Sequence, residues 1–159
     1  MTKVIKPAAD RRLIEVRFPF AIVSEKSRKE RFGKVRPPFW EMHYWWARRP
    51  LIASRAAIAA ACLSTDAEEE FVELIRLREK MPYRENPLLK INAKLLDPFA
   101  GGGSIPFEAL RLGCDTYAIE YNPIAYVILK ASLEYPVKYG EQLLEDCLLY
   151  TSPSPRDRG

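Results

Sequence analysis

Two carboxylates, Asp97 and Glu120, flank a run of three glycines at Gly101, Gly102 and Gly103. The stretch around them reads KLLDPFAGGGSIPFEALRLGCDTYAIEYNP from Lys94 to Pro123. Leu95 and Leu96 predict a buried strand that ends on Asp97. Ser104 reads as the cap of a short helix, with Pro106 tolerated in its first turn and Gly113 closing it. Tyr117 to Ile119 predict a second strand that ends on Glu120. In open α/β sheets ligands sit beyond the carboxyl ends of the strands. Glycines there let backbone approach a ligand, because no Cβ stands in the way. An acid on the next strand can accept hydrogen bonds from ribose hydroxyls. The layout therefore suits a cofactor that carries a nucleoside.

The loop discriminates among such cofactors. A dinucleotide fingerprint needs a glycine three places after the second glycine, and Pro106 stands there. Asp97 would also disfavour a pyrophosphate. A phosphate-binding P-loop is excluded, because no Gly-Lys-Ser or Gly-Lys-Thr follows the glycines. S-adenosylmethionine fits better: it has a ribose for Glu120 and a cationic methionine end for Asp97. The bland alternative is an ordinary strand-to-helix turn.

DPFAGGG resembles motif I of the amino-group DNA methyltransferases, and IEYNP resembles their next motif, an acid followed by Asn-Pro. The resemblance implies that Asp97 and Gly101 to Gly103 contact the methionine part and that Glu120 binds the ribose. Pro98, Phe99, Ala100 and Asn122 complete the cofactor-binding set as members of the same motifs.

A second cluster lies upstream, in FWEMHYWWARRPLIASR over residues 39–55. Aromatics interleaved with arginines can stack on bases and pair with phosphates. Composition alone favours a plainer reading, in which Trp45 and Trp46 anchor a helix in the core while Arg48 and Arg49 stay solvated. His43 is the only histidine, so it makes neither a metal site nor a Ser-His-Asp triad by itself. LIEVRFPFAIVSEKSRKE followed by HYWWARRPLIASRA resembles the domain of unknown function at the front of large proteins described as adenine-specific DNA methylases. His43, Trp45, Trp46, Arg48 and Arg49 belong to that match, which does not say what the segment does; their aromatic and basic character makes them candidates for contact with DNA. The two resemblances together span roughly residues 12–146.

The elements that must position these residues follow from the rest of the chain. Its 159 residues allow one domain with a core of its own. Residues 1–12 read as a frayed end, 13–92 as a mostly helical N-terminal region, and 93–146 as the start of a Rossmann-like class I methyltransferase domain. The fold class is α/β, with the sheet incomplete at two convincing strands. Residues 13–20 read as extended, broken by Pro19, and 21–32 as helix. Pro37 and Pro38 exclude a helix at 35–39. Pro50 suits the first turn of an alanine-rich helix reaching Leu63. Ser64 to Asp66 would cap a helix running to Lys80, with Phe71, Leu74, Ile75 and Arg78 on one face. Asn122 would cap a helix from Pro123 that ends near Tyr135, before Pro136.

The formal net charge of +4 is unevenly spread. Residues 1–55 carry 14 Lys and Arg against 5 Asp and Glu, and the remainder carries 11 against 16. A basic N-terminal third suits a phosphate-facing surface and a DNA partner. No run of about 18 apolar residues exists to span a membrane. Cys62, Cys114 and Cys147 form no CxxC pair, which points to a reducing cytoplasm and to no metal site.

Amino-group methyltransferases also need Asp, Asn or Ser before Pro-Pro-aromatic, to accept from the target amine and stack on the flipped base. The near match is Arg36-Pro37-Pro38-Phe39, and arginine has no acceptor. No catalytic residue is therefore assigned. CLLYTSPSPRDRG, over residues 147–159, resembles translated sequencing-adapter read-through and is set aside from the fold. The expectation is the N-terminal fragment of an S-adenosylmethionine-dependent, adenine-specific DNA methyltransferase. The alternatives are a methyltransferase acting on RNA or another amine, and a non-catalytic nucleic-acid-binding module.

Overall fold

The computed structural model describes residues 3–5, 7, 10–32 and 36–151. In chain order the elements are β1 (Lys3–Ile5), α1 (Leu13–Val16), α2 (Phe20–Phe32), α3 (Pro38–Glu41), α4 (Leu51–Cys62) and α5 (Glu68–Leu74). There follow β2 (Leu89–Ile91), β3 (Lys94–Asp97), α6 (Ser104–Arg111), β4 (Asp115–Ala118) and α7 (Pro123–Leu129). A π-helical turn over Lys130–Glu134 leads into α8 (Tyr135–Thr151). The class is mixed helix and strand; both strand pairs are parallel, and an isolated antiparallel bridge joins Arg12 to Ser64.

Strand β1 pairs with β2, Val4 opposite Lys90, and β3 pairs with β4, Leu96 opposite Tyr117. The two pairs form separate two-stranded sheets. Residues 3–5, within the segment expected to be frayed, are held in the β1–β2 ladder.

One apolar core joins the two halves of the chain. Leu13, Val23, Ile52, Ala56, Ala59 and Phe71 from the N-terminal region pack with Ala109, Leu112 and Cys114. Small residues on α4 let α6 approach closely, and a buried ion pair locks the crossing. Arg55 Nε donates to Glu108 Oε2 at 2.6 Å, and both side chains are fully buried. Arg55 also donates to the carbonyls of Ile75 and Pro82. Arg111 donates to the second oxygen of Glu108 at 2.8 Å.

Several local expectations are corrected. Leu13–Val16 is a helical turn, not an extended piece. Pro38 opens α3 at its first position, where a missing N–H costs nothing. Helix α5 starts at Glu68 without a side-chain cap and ends at Leu74, well short of Lys80. Arg76 takes the left-handed conformation, with φ of 57°, and the N–H of Leu77 donates back to Val72. That closes the helix in a Schellman-type turn. Pro136 does not stop the last helix. The N–H of Tyr135 reaches Lys130 O, five residues back, and the widened turn accommodates the proline. Helix α8 continues to Thr151, beyond the expected break at Cys147, with a kink at Gly140. Residues 152–159 of the tail lie outside the described residues.

Candidate cofactor loop and the aromatic segment against it

Strand β3 delivers Asp97 to the start of the glycine loop, where it is buried and its Oδ1 accepts the N–H of Phe99 at 3.1 Å. Two bonds tie the loop to the end of β4. The N–H of Ala100 donates to Ile119 O, and that of Gly101 to Glu120 Oε2 at 2.6 Å. Glu120 Oε1 accepts the N–H of Asn122 at 2.9 Å. These N–H bonds, from Asn122 first and then Gly101, hold the Glu120 carboxyl below the usual range and so ionised. A carboxylate has about four acceptor sites, so two backbone donors leave room for hydroxyl donors.

The other expected cofactor residues divide. Asn122 caps α7, its Oδ1 accepting from Ile124 N at 2.9 Å. Pro98 and Phe99 are exposed, whereas Ala100 is buried in a second apolar cluster with Phe39, Leu129 and Leu133. Ser104 does not cap α6. Gly103 occupies the cap position with φ of 79°, and the buried Ser104 hydroxyl has no partner among the described residues. Gly113 does end that helix in the left-handed conformation, as expected.

What approaches the glycines is a side chain of this protein. A Cβ on Gly101 would lie 3.1 Å from Trp45 Nε1, and one on Gly102 would lie 2.8 Å from Trp45 Cδ1. The tryptophan segment and the glycine loop, far apart in sequence, are thus in contact.

The segment itself is an irregular loop between α3 and α4, not a helix. Trp45 is half-buried and Trp46 is 78% exposed, so the pair does not anchor a core. Arg48, expected in solvent or on a phosphate, holds the loop together. Its Nη1 donates to Phe39 O at 2.6 Å, its Nη2 donates to His43 O at 2.8 Å, and it stands over the Phe39 ring. Burial lowers its pKa from the ordinary arginine value. Arg49 and His43 are exposed. Phe39, the aromatic of the near-match acceptor motif, is buried and stacks on Phe107 at 4.3 Å. It is a core ring, unavailable to a base.

Sequence reasoning passed over Arg31 and Phe32 and weighed Arg36 only as part of the near-match acceptor motif; with Tyr44, Trp45 and Trp46 they line a cavity. The usable signal was that the arginine–aromatic alternation continues upstream, to the end of α2.

Residues 17–82 match the family model described as protein of unknown function (DUF1156). No curated protein and no solved structure matches the chain.

Proposed function

We propose that this chain binds S-adenosylmethionine at its glycine loop and forms the cofactor half of a DNA methyltransferase acting on the exocyclic amine of adenine. One arrangement carries the reading. Asp97 ends β3, Glu120 lies two residues past the end of its parallel neighbour β4, the glycine loop runs between them, and Glu120 is bonded to that loop. On this reading β3, β4 and α6 are the first elements of a Rossmann-like class I fold. The residues fit the cofactor: the ionised Glu120 retains acceptor capacity for ribose hydroxyls, and Asp97 places a carboxyl group at the start of the loop. Trp45 packs against Gly101 and Gly102. The bound cofactor would supply a methyl group on a sulfonium. The chain's own residues bind and orient it, and Asn122 fixes the start of α7 beside Glu120. No side chain of this chain is assigned to the acceptor amine.

Calorimetry with S-adenosylmethionine tests the reading. Asp97→Ala and Glu120→Ala should each weaken binding about tenfold or more, since a hydrogen bond to a charged group contributes about 1.5–3 kcal/mol. Glu120→Gln, which keeps an acceptor, should lose less than Glu120→Ala. Affinity unchanged in both alanine variants would refute the assignment.

A further inference from the structure

A cavity of about 260 Å³ opens between the end of α2 and the tryptophan segment. Its lining includes Arg31, Phe32, Arg36, Tyr44, Trp45 and Trp46. Phe32, Tyr44 and Trp46 are largely exposed. Tyr44 and Trp46 meet edge to face at 4.9 Å, which leaves a ring face presented rather than stacked away. Two exposed guanidinium groups, Arg31 and Arg36, stand at the same rim. Trp40 and Arg48 complete the lining, and each carries a buried N–H with no partner among the described residues. A lining of ring faces and N–H donors matches a ligand that is flat, aromatic, anionic and rich in acceptors.

We propose that this cavity is a nucleotide site that holds one unstacked base against the Tyr44–Trp46 pair and its phosphate on Arg31 and Arg36. Its volume lies below the roughly 300–1,000 Å³ of pockets that enclose a whole drug-sized ligand, which suits one nucleotide of a strand. Its position gives it a role. The ring of Trp45 lines the cavity and also lies against Gly101 and Gly102, so the site and the glycine loop share a wall. The arginines and tryptophans offer donors only, so an exocyclic amine finds few acceptors there. The nucleotide held is therefore a neighbour of the methylated one, gripped to fix the strand in register with the cofactor. This role rests on the methyltransferase reading; the site itself does not.

Anisotropy of a labelled single strand of about ten nucleotides tests the site on the full chain. Trp46→Ala should weaken binding about fivefold or more, because base stacking on one aromatic ring is worth about that. Trp46→Phe should restore most of it. Arg31→Ala with Arg36→Ala should weaken binding and flatten the log–log salt dependence by about 1.4, the value for two single-strand phosphates. All three side chains are exposed, and circular dichroism would show that the variants keep their helices. Loss in the arginine variant with none in Trp46→Ala would mean non-specific charge attraction and overturn the site. Equal affinity in every variant would overturn it as well. Titration with S-adenosylmethionine separates the two readings. Binding of the cofactor with no effect at the cavity sinks only this site. An effect at the cavity without cofactor binding sinks only the methyltransferase.

Discussion

A methyl group on Gly102 would stand 2.8 Å from Cδ1 and 2.9 Å from Cγ of Trp45. Gly102→Ala should therefore cost about 1–3 kcal/mol in urea denaturation, the usual price of overpacking. In a Trp45→Ala background the same change should cost less but not vanish, because the retained Cβ stands 3.1 Å from the new methyl. Equal costs in both backgrounds would show that the indole is not what excludes a side chain. The glycines were legible in the sequence, but the reason for them was not. A missing Cβ looks the same whether a ligand or a neighbouring ring fills the space. Glu30 was not legible at all. It lies on α2, fully buried, and its two oxygens accept the N–H groups of Leu51 and Ile52 at the start of α4. Burial raises its pKa from 4.5 to about 7, against those two hydrogen bonds and Arg55, with Glu108 adding to the rise. A carboxyl raised on folding stabilises the fold while protonated. Its contribution is whole below about pH 4.5 and is lost as pH rises through about 7. The loss should approach about 3 kcal/mol, at 1.36 kcal/mol per pH unit. Glu30→Gln should remove that fall from the stability–pH profile, and a parallel profile in the variant would contradict the assignment.

Helix ends illustrate which elements a sequence discloses. Asn122-Pro123 predicts a capped start for α7, and Asn122 makes the cap. Gly113 predicts the end of α6 for the same local reason. The ends of α5 and of the last helix depend on contacts outside their own turns. Helix α5 stops because the chain turns at Arg76, where Leu77 becomes buried in the core. Pro136 reads as a stop only if the ladder keeps its normal spacing, and the π turn before it changes that spacing. Arg76→Gly tests the α5 end. Releasing a left-handed residue gains about 1–2 kcal/mol, partly offset by the greater freedom of glycine when unfolded. The ion pair with Glu79, at 3.8 Å on the surface, contributes little. A net gain of up to about 1 kcal/mol is expected by urea denaturation. A loss would show that the Arg76 side chain matters more than its backbone strain.

At the scale of the whole molecule, one face of the β3–β4 sheet lies open. Leu96, Tyr117 and Ile119 share it by the two-residue period of a strand, and are 61%, 51% and 58% exposed. Parallel sheets are ordinarily covered on both faces. The chain should therefore self-associate, and Leu96→Lys with Ile119→Lys should shift it towards monomer in analytical ultracentrifugation. It should also show no transfer of tritiated methyl to unmethylated DNA, because none of the described residues is assigned to hold the acceptor amine. Turnover would place that residue within this chain. The alternation of strand and helix was legible in the sequence. The joint core was not, because Arg55 and Glu108 read as surface charges until α4 and α6 are packed together. Glu108→Gln leaves Arg55 buried without its counter-charge and should cost about 3–5 kcal/mol in the same denaturation assay. That ion pair also constrains inheritance. Arg55 lies inside the segment matched by the family model and Glu108 lies outside it. A gene rearrangement that exchanged one segment for an unrelated one would strand a buried charge in the recipient. The two segments should descend as a unit, and a lineage that replaced Arg55 with an apolar residue should carry a neutral residue in place of Glu108.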